Sequence, residues 1–201
     1  MTTSHLPQYN NYVESGILWL GTVPAHWDLR RHKDNFSFVT TRITNETLIK
    51  VGLENIESNT GRFVSTDTEF EGDGIKFKVG DILFGKLRPY LAKVYLAEFD
   101  GNAVGDLFVY RSKRNISPKF AQYLMLSSRY IDVINSSTAG AKMPRASSNF
   151  IADLPTAIPP LEEQQAIADY LDAKTAQLDR KIELLEQKTE KYADLKQSLI
   201  N

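Results

Sequence analysis

From Leu161 to Asn201 the chain contains neither proline nor glycine. These two residues are the strongest punctuators of helices, so their absence predicts one uninterrupted helix from about residue 160 onward. Pro159 and Pro160 stand just before it, and Glu162 and Glu163 lie in its first turn, where the helix dipole favours negative charge. About forty residues at 1.5 Å each span roughly 60 Å, longer than a small domain is wide. Such a helix cannot bury itself and must lie along something. Leu171, Leu178, Leu185, Tyr192 and Leu199 recur every seven residues, beside a mixed column of Ala168, Thr175, Ile182, Thr189 and Lys196. This is a heptad seam that grows wetter toward its C-terminal end. Leu171, Leu178, Ile182, Leu185, Tyr192 and Leu199 are therefore the candidate residues for pairing with a partner helix. The plainer reading, a surface helix folded onto its own body, is disfavoured by length.

The expected division is a body at residues 1–158 and the helix at 159–201. The first 35 residues are expected to be a connector anchored by Trp19 and Trp27. Segments 36–43, 47–53, 82–84, 91–99 and 103–110 are rich in β-branched and aromatic residues and are broken by Gly/Asp turns, so they read as short strands. No regular strand–helix alternation is visible. The fold class expected is α+β: a mixed or antiparallel sheet domain followed by one long coiled-coil helix. A further helix is expected from Ser117 (N-cap) and Pro118 (first helical position), with Phe120, Leu124, Ile131 and Ile134 as its apolar stripe. Residues 135–150 read as a polar loop and 151–160 as extended chain, because of Pro155 and Pro159.

Little in the sequence suggests catalysis. There is no cysteine, which removes disulfides, thiolate metal sites and cysteine nucleophiles, and fits a reducing cytoplasm. The N-terminal residues lack the pattern of a signal peptide, and no apolar run reaches membrane-spanning length. His5, His26 and His32 have no partner at metal-ligand spacing and read as solvent or turn positions. No glycine-rich phosphate loop occurs. The only Pro-Pro, Pro159-Pro160, lacks the flanking residues of a base-methylating motif. Glu186-Gln187-Lys188 resembles half of a nuclease pattern but reads as a solvated helix face.

Net charge is −1, yet residues 161–201 hold 6 Lys+Arg against 9 Asp+Glu, and the rest holds 18 against 16. The acidic helix masks a mildly basic body. Three runs carry cations without intervening acids: Lys86, Arg88 and Lys93 with Tyr90 among them; Arg111, Lys113 and Arg114; and Lys142 and Arg145, followed by Ser147. Arginine can bridge guanine with two hydrogen bonds and lysine can meet a phosphate, so these ten residues are the candidate contacts to double-stranded DNA. Each run also has a plainer reading, since loops and strand edges are commonly basic.

Four stretches, "SGILWLGTVPAHWDLRR", "GDILFGKLRPYLAKV", "AVGDLFVYR" and "IPPLEEQQAIADYLDAKTAQLDRKI", together resemble the DNA-specificity (S) subunits of type I restriction–modification systems. The resemblance implies a target-recognition domain with a projecting helix. It also implies a non-catalytic subunit that directs methyltransferase (M) and restriction (R) subunits. S-adenosylmethionine, ATP and Mg are then expected in those partners, and no cofactor in this chain. Members of the family usually carry two recognition domains and two helices. Here each motif occurs once, as in a half-length form, which makes homodimerisation through the helix the natural expectation. The alternatives are a structural coiled-coil adaptor, or an inactive fragment of a fused methyltransferase–specificity enzyme.

Overall fold

A computed structural model describes residues 9–43, 47–68, 70–138 and 143–200. Among the described residues the chain forms two compact units, one ending at Gln165 and the other beginning at Ala166. In chain order the first unit contains β1 (Tyr12–Glu14), β2 (Thr22–Pro24), β3 (Asp28–Arg31), α1 (His32–Asn35), β4 (Phe36–Val39), β5 (Arg42–Ile43), β6 (Ile49–Val51), β7 (Gly74–Phe77), β8 (Asp81–Gly85), β9 (Val94–Leu96), β10 (Gly101–Ala103), β11 (Leu107–Ser112), α2 (Pro118–Leu126), α3 (Ser128–Ser136), α4 (Ser148–Asp153) and β12 (Pro155–Ile158). The last element, α5 (Leu161–Ile200), begins in this unit and constitutes the second. No helix among the described residues is long and apolar enough to cross a membrane.

Two four-stranded sheets organise the body. One runs β4-β11-β8-β9 and is antiparallel throughout. The other runs β5-β7-β10-β6, with β10 and β6 parallel, so the architecture is the mixed α+β type expected. Both sheets feed one core, which includes Val51, Phe77, Leu83, Tyr95, Leu107 and Val109. β8 is buried along its whole length, which is why its sequence, Asp-Ile-Leu-Phe-Gly, shows no polar alternation.

The expected connector is structured: β1 and β2 form a hairpin, and β3 pairs with β12. The single helix expected after Ser117 is two. Ser127 adopts extended backbone between them, and its hydroxyl donates to the Leu124 carbonyl at 2.7 Å, a local bond that competes with helix continuation. Pro118 does occupy the first turn of α2, but the Ser117 side chain makes no capping bond. Segment 151–160 is not extended throughout. Ser147 caps α4 by accepting from Phe150 N, and the helix runs to Asp153 before the proline constraint takes hold.

His26 is an exposed turn position, as expected; His32 departs from expectation, and His5 lies outside the described residues. His26 sits in a socket around the first turn of α5. There the Glu163 carboxylate faces His26 Nε2 at 2.6 Å and accepts from Trp27 Nε1 at 3.1 Å and Tyr9 OH at 3.0 Å. Burial opposes the charge of Glu163, but these three partners outweigh it and leave its pKa below the usual glutamate value. The neighbouring Gln164 is buried, accepts from Ser117 N at 2.7 Å and donates to the carbonyls of Asn115 and Pro159.

His32 is buried, stacked on Phe36 at 4.3 Å and 3.1 Å from Tyr130 OH through Nδ1. Desolvation pushes its pKa down to about 3. Unfolded histidine titrates near 6.5, so the unfolded chain binds the extra proton first as pH falls. The stability held by neutral His32 is complete above pH ~6.5 and drains as pH drops toward 3. About 2 kcal/mol should be gone by pH 5, at 1.36 kcal/mol per pH unit. Urea denaturation is expected to show this slope, and His32→Gln, which cannot titrate, should flatten it between pH 6.5 and 5. An unchanged slope in the variant would assign the acid sensitivity elsewhere.

Candidate nucleic-acid interface

The candidate residues do not form one patch. They separate along the β8/β11 pair, in which Leu107 faces Gly85 and Arg111 faces Asp81. Four residues at about 3.4 Å each put roughly 14 Å between these ends.

At the Gly85 end, the chain folds back on itself tightly. A Cβ on Gly85 would lie 2.9 Å from Leu53 Cδ2 and 3.2 Å from Lys93 Cβ, so glycine is what lets the following loop return. Residues 86–88 pair with 144–146: Ala146 N donates to Lys86 O and Arg88 N to Pro144 O, both at 2.8 Å. This contact joins two of the three basic runs. Asp106 lies between them, with Lys86 Nζ at 3.6 Å and Arg145 Nη2 at 3.1 Å from its carboxylate oxygens. Lys86 also sits over the Phe108 ring, 5.6 Å from its centroid. Asp106 is a residue that the basic-run reading passes over, since nothing in "VGDLF" announces that two cations from distant segments converge on it.

Arg88 has φ 52° and Ala92 φ 45°, left-handed conformations that cost an L-residue about 1–2 kcal/mol each. Between them Pro89–Leu91 make a single 3-10 turn, with Pro89 buried and Tyr90 half exposed. The turn is pinned by Leu91 N to Arg88 O and Ala92 N to Pro89 O, both 2.9 Å, and by Asn59 N to Ala92 O at 3.2 Å. The Arg88 side chain is exposed and carries no ion pair among the described residues. Lys93 Nζ points inward and donates to Leu53 O at 2.7 Å, acting as a strut beneath the turn. Met143 and Phe150 are exposed on the partner segment, and Ser147 is occupied as the cap of α4. Lys142 lies outside the described residues.

At the other end, Arg111 donates from Nε and Nη2 to the buried Asp81 carboxylate at 2.7 and 2.6 Å, which holds its guanidinium more firmly protonated than usual. Lys113 Nζ donates to Lys33 O at 2.6 Å, and Arg114 is exposed. On α5, Leu178, Ile182, Leu185, Tyr192 and Leu199 are all exposed, while Leu171 is partly buried.

Comparison with known proteins places the chain in a family. The specificity subunit of the type I restriction enzyme EcoDI of Escherichia coli is 29% identical over 168 residues, covering 80% of this chain and 37% of that protein. Among solved structures, the HsdS subunit of Thermoanaerobacter tengcongensis matches with TM-score 0.62 and 22% identity, over 79% of this chain and 44% of that one. A chain from a structure describing complex assembly and conformational transition of the type I R-M system matches with TM-score 0.68 and 22% identity, over 86% and 47%. The chain thus spans less than half the length of these relatives. The family model for the type I restriction modification DNA specificity domain matches residues 25–191, most of the chain, and the protein belongs to that family.

Proposed function

We propose that this protein binds double-stranded DNA sequence-specifically, as the recognition component of a type I restriction–modification assembly, and that it works as a homodimer joined through α5. The observation that carries the reading is the loop pair 86–92 and 143–147. There Lys86 and Arg145 converge on Asp106, Arg88 and Tyr90 stand exposed on the adjoining turn, and the backbone is held by main-chain hydrogen bonds. Arg114 and Lys142 are kept as secondary phosphate contacts. The exposed seam of α5 supports pairing of two chains. Leu184 and Leu195 are exposed as well and lie eleven residues apart, three turns of helix, on a face roughly 100° from the seam. That second face suits docking of the methyltransferase subunits, which would bring S-adenosylmethionine, while ATP and Mg belong with the restriction subunits. The body at 1–158 then does the reading and the helix at 159–201 the spacing.

A twofold dimer presents the same domain twice in opposite senses, so its half-sites must be inverted repeats. Selection of bound duplexes from a random pool with the purified protein should therefore enrich an interrupted palindrome. Its half-site centres should lie roughly one helical turn, about 34 Å, apart. Enrichment of an asymmetric or uninterrupted site would overturn the twofold reading. Salt-independent retention with no enriched site would favour the structural adaptor instead.

A further inference from the structure

Resting on that DNA-binding reading, we propose that Arg88 is the base-reading residue of this surface, and that Lys86 and Arg145 seat phosphates without reading sequence. The assignment comes from how each cation is held. Lys86 and Arg145 share the Asp106 carboxylate, at 3.6 and 3.1 Å, so two positive charges are already met by one negative. A guanidinium leaning on a carboxylate has part of its donor fork occupied, whereas reading guanine O6 and N7 requires two donors free and parallel. A partly neutralised ammonium and guanidinium still attract the polyanion, which needs charge and not a fixed fork.

Arg88 differs on each count. Its guanidinium is exposed and without an ion pair among the described residues. Its backbone is in the left-handed region, where glycine would be relaxed, yet the position holds an arginine. The stem is fixed from both sides, by Arg88 N to Pro144 O at 2.8 Å and by Leu91 N to Arg88 O at 2.9 Å. A side chain on a rigid stem loses less freedom on binding, which is what discrimination between bases asks of it. Tyr90, half exposed on the same turn, gives the arginine an aromatic neighbour for packing against a base or sugar. Lys93 and Arg111 are excluded by their inward bonds to Leu53 O and Asp81.

The backbone geometry makes the test clean, because Arg88→Gly removes the side chain and relieves the φ strain together. The full-length protein is first used to select its preferred duplex. The parent, Arg88→Gly, Arg88→Lys, Ala92→Gly, Lys86→Ala and Arg145→Ala are then compared on that duplex and on a scrambled one, with thermal unfolding in parallel. Arg88→Gly should melt no lower than the parent. It should lose roughly tenfold to a hundredfold on the selected duplex and little on the scrambled one. Arg88→Lys, which keeps the charge but not the fork, should lose discrimination in the same way. Ala92→Gly should melt higher and keep the parental preference. Lys86→Ala and Arg145→Ala should weaken both duplexes alike and flatten the salt dependence. An unchanged ratio of selected to scrambled affinity in Arg88→Gly overturns the assignment, as does an equal loss on both duplexes. A parent that selects no duplex at all would refute the DNA-binding reading itself, a failure visible before any variant is made.

Discussion

The double substitution Leu178→Glu plus Leu185→Glu is expected to turn the proposed homodimer into a monomer. Both leucines are exposed on α5, at 58% and 63%, one heptad apart in the only fully apolar column of the seam. Burying one leucine is worth about 1.5–3 kcal/mol, and a twofold interface buries each position twice, so about 6–12 kcal/mol is removed. That range brackets the roughly 8 kcal/mol of a micromolar dimer, and the repulsion of four new carboxylates adds to it. The helix itself should survive, because glutamate is a good helix former. Sedimentation velocity should report the monomer and circular dichroism an unchanged helix content. Affinity for the two-part site should collapse toward that for a single half-site. A double variant that sediments as the parent does would place the dimer contact elsewhere than α5.

Arg111→Ala should cost about 3–5 kcal/mol of stability and leave base preference intact. Asp81 is almost wholly buried at the start of β8. Besides the Arg111 fork it accepts one further bond, from Lys78 N at 2.8 Å. Removing one member of such a pair strands a charge in a poorly solvated site, which is far costlier than the pair itself is worth. The half-exposed guanidinium puts the expectation at the lower end of that range. Asp81→Asn in the Arg111→Ala background should recover part of the loss, since the orphan is then neutral. Denaturant midpoints measure both effects. If Arg111→Ala kept parental stability and lost DNA affinity instead, the residue would belong to the binding surface after all.

Arg111 and Arg88 show why a basic run is a weak guide. Both are arginines in runs free of acid, and sequence spacing treats them alike. One lies opposite Asp81 on the neighbouring strand, thirty residues away, and the other projects from a turn. Lys86 and Arg145 lie almost sixty residues apart and meet only because residues 86–88 pair with 144–146. Similarly, nothing in the sequence around His32 distinguishes a surface histidine from one stacked on Phe36 beneath Tyr130, almost a hundred residues on.

By itself, the sequence determined the long terminal helix, its heptad seam, the short strands around Gly/Asp turns, the α+β class and the family. These rest on local chemistry: the absence of proline and glycine, a seven-residue apolar period, turn residues, and motifs read in order along the chain. Tertiary structure alone decided which cations are free, where Glu163 and Gln164 anchor the first turn of α5, and which histidine is buried. The physical reason is common to them. A charge or a ring acquires its role from the group packed against it, and these partners lie on strands and loops that only the folded sheet order brings together.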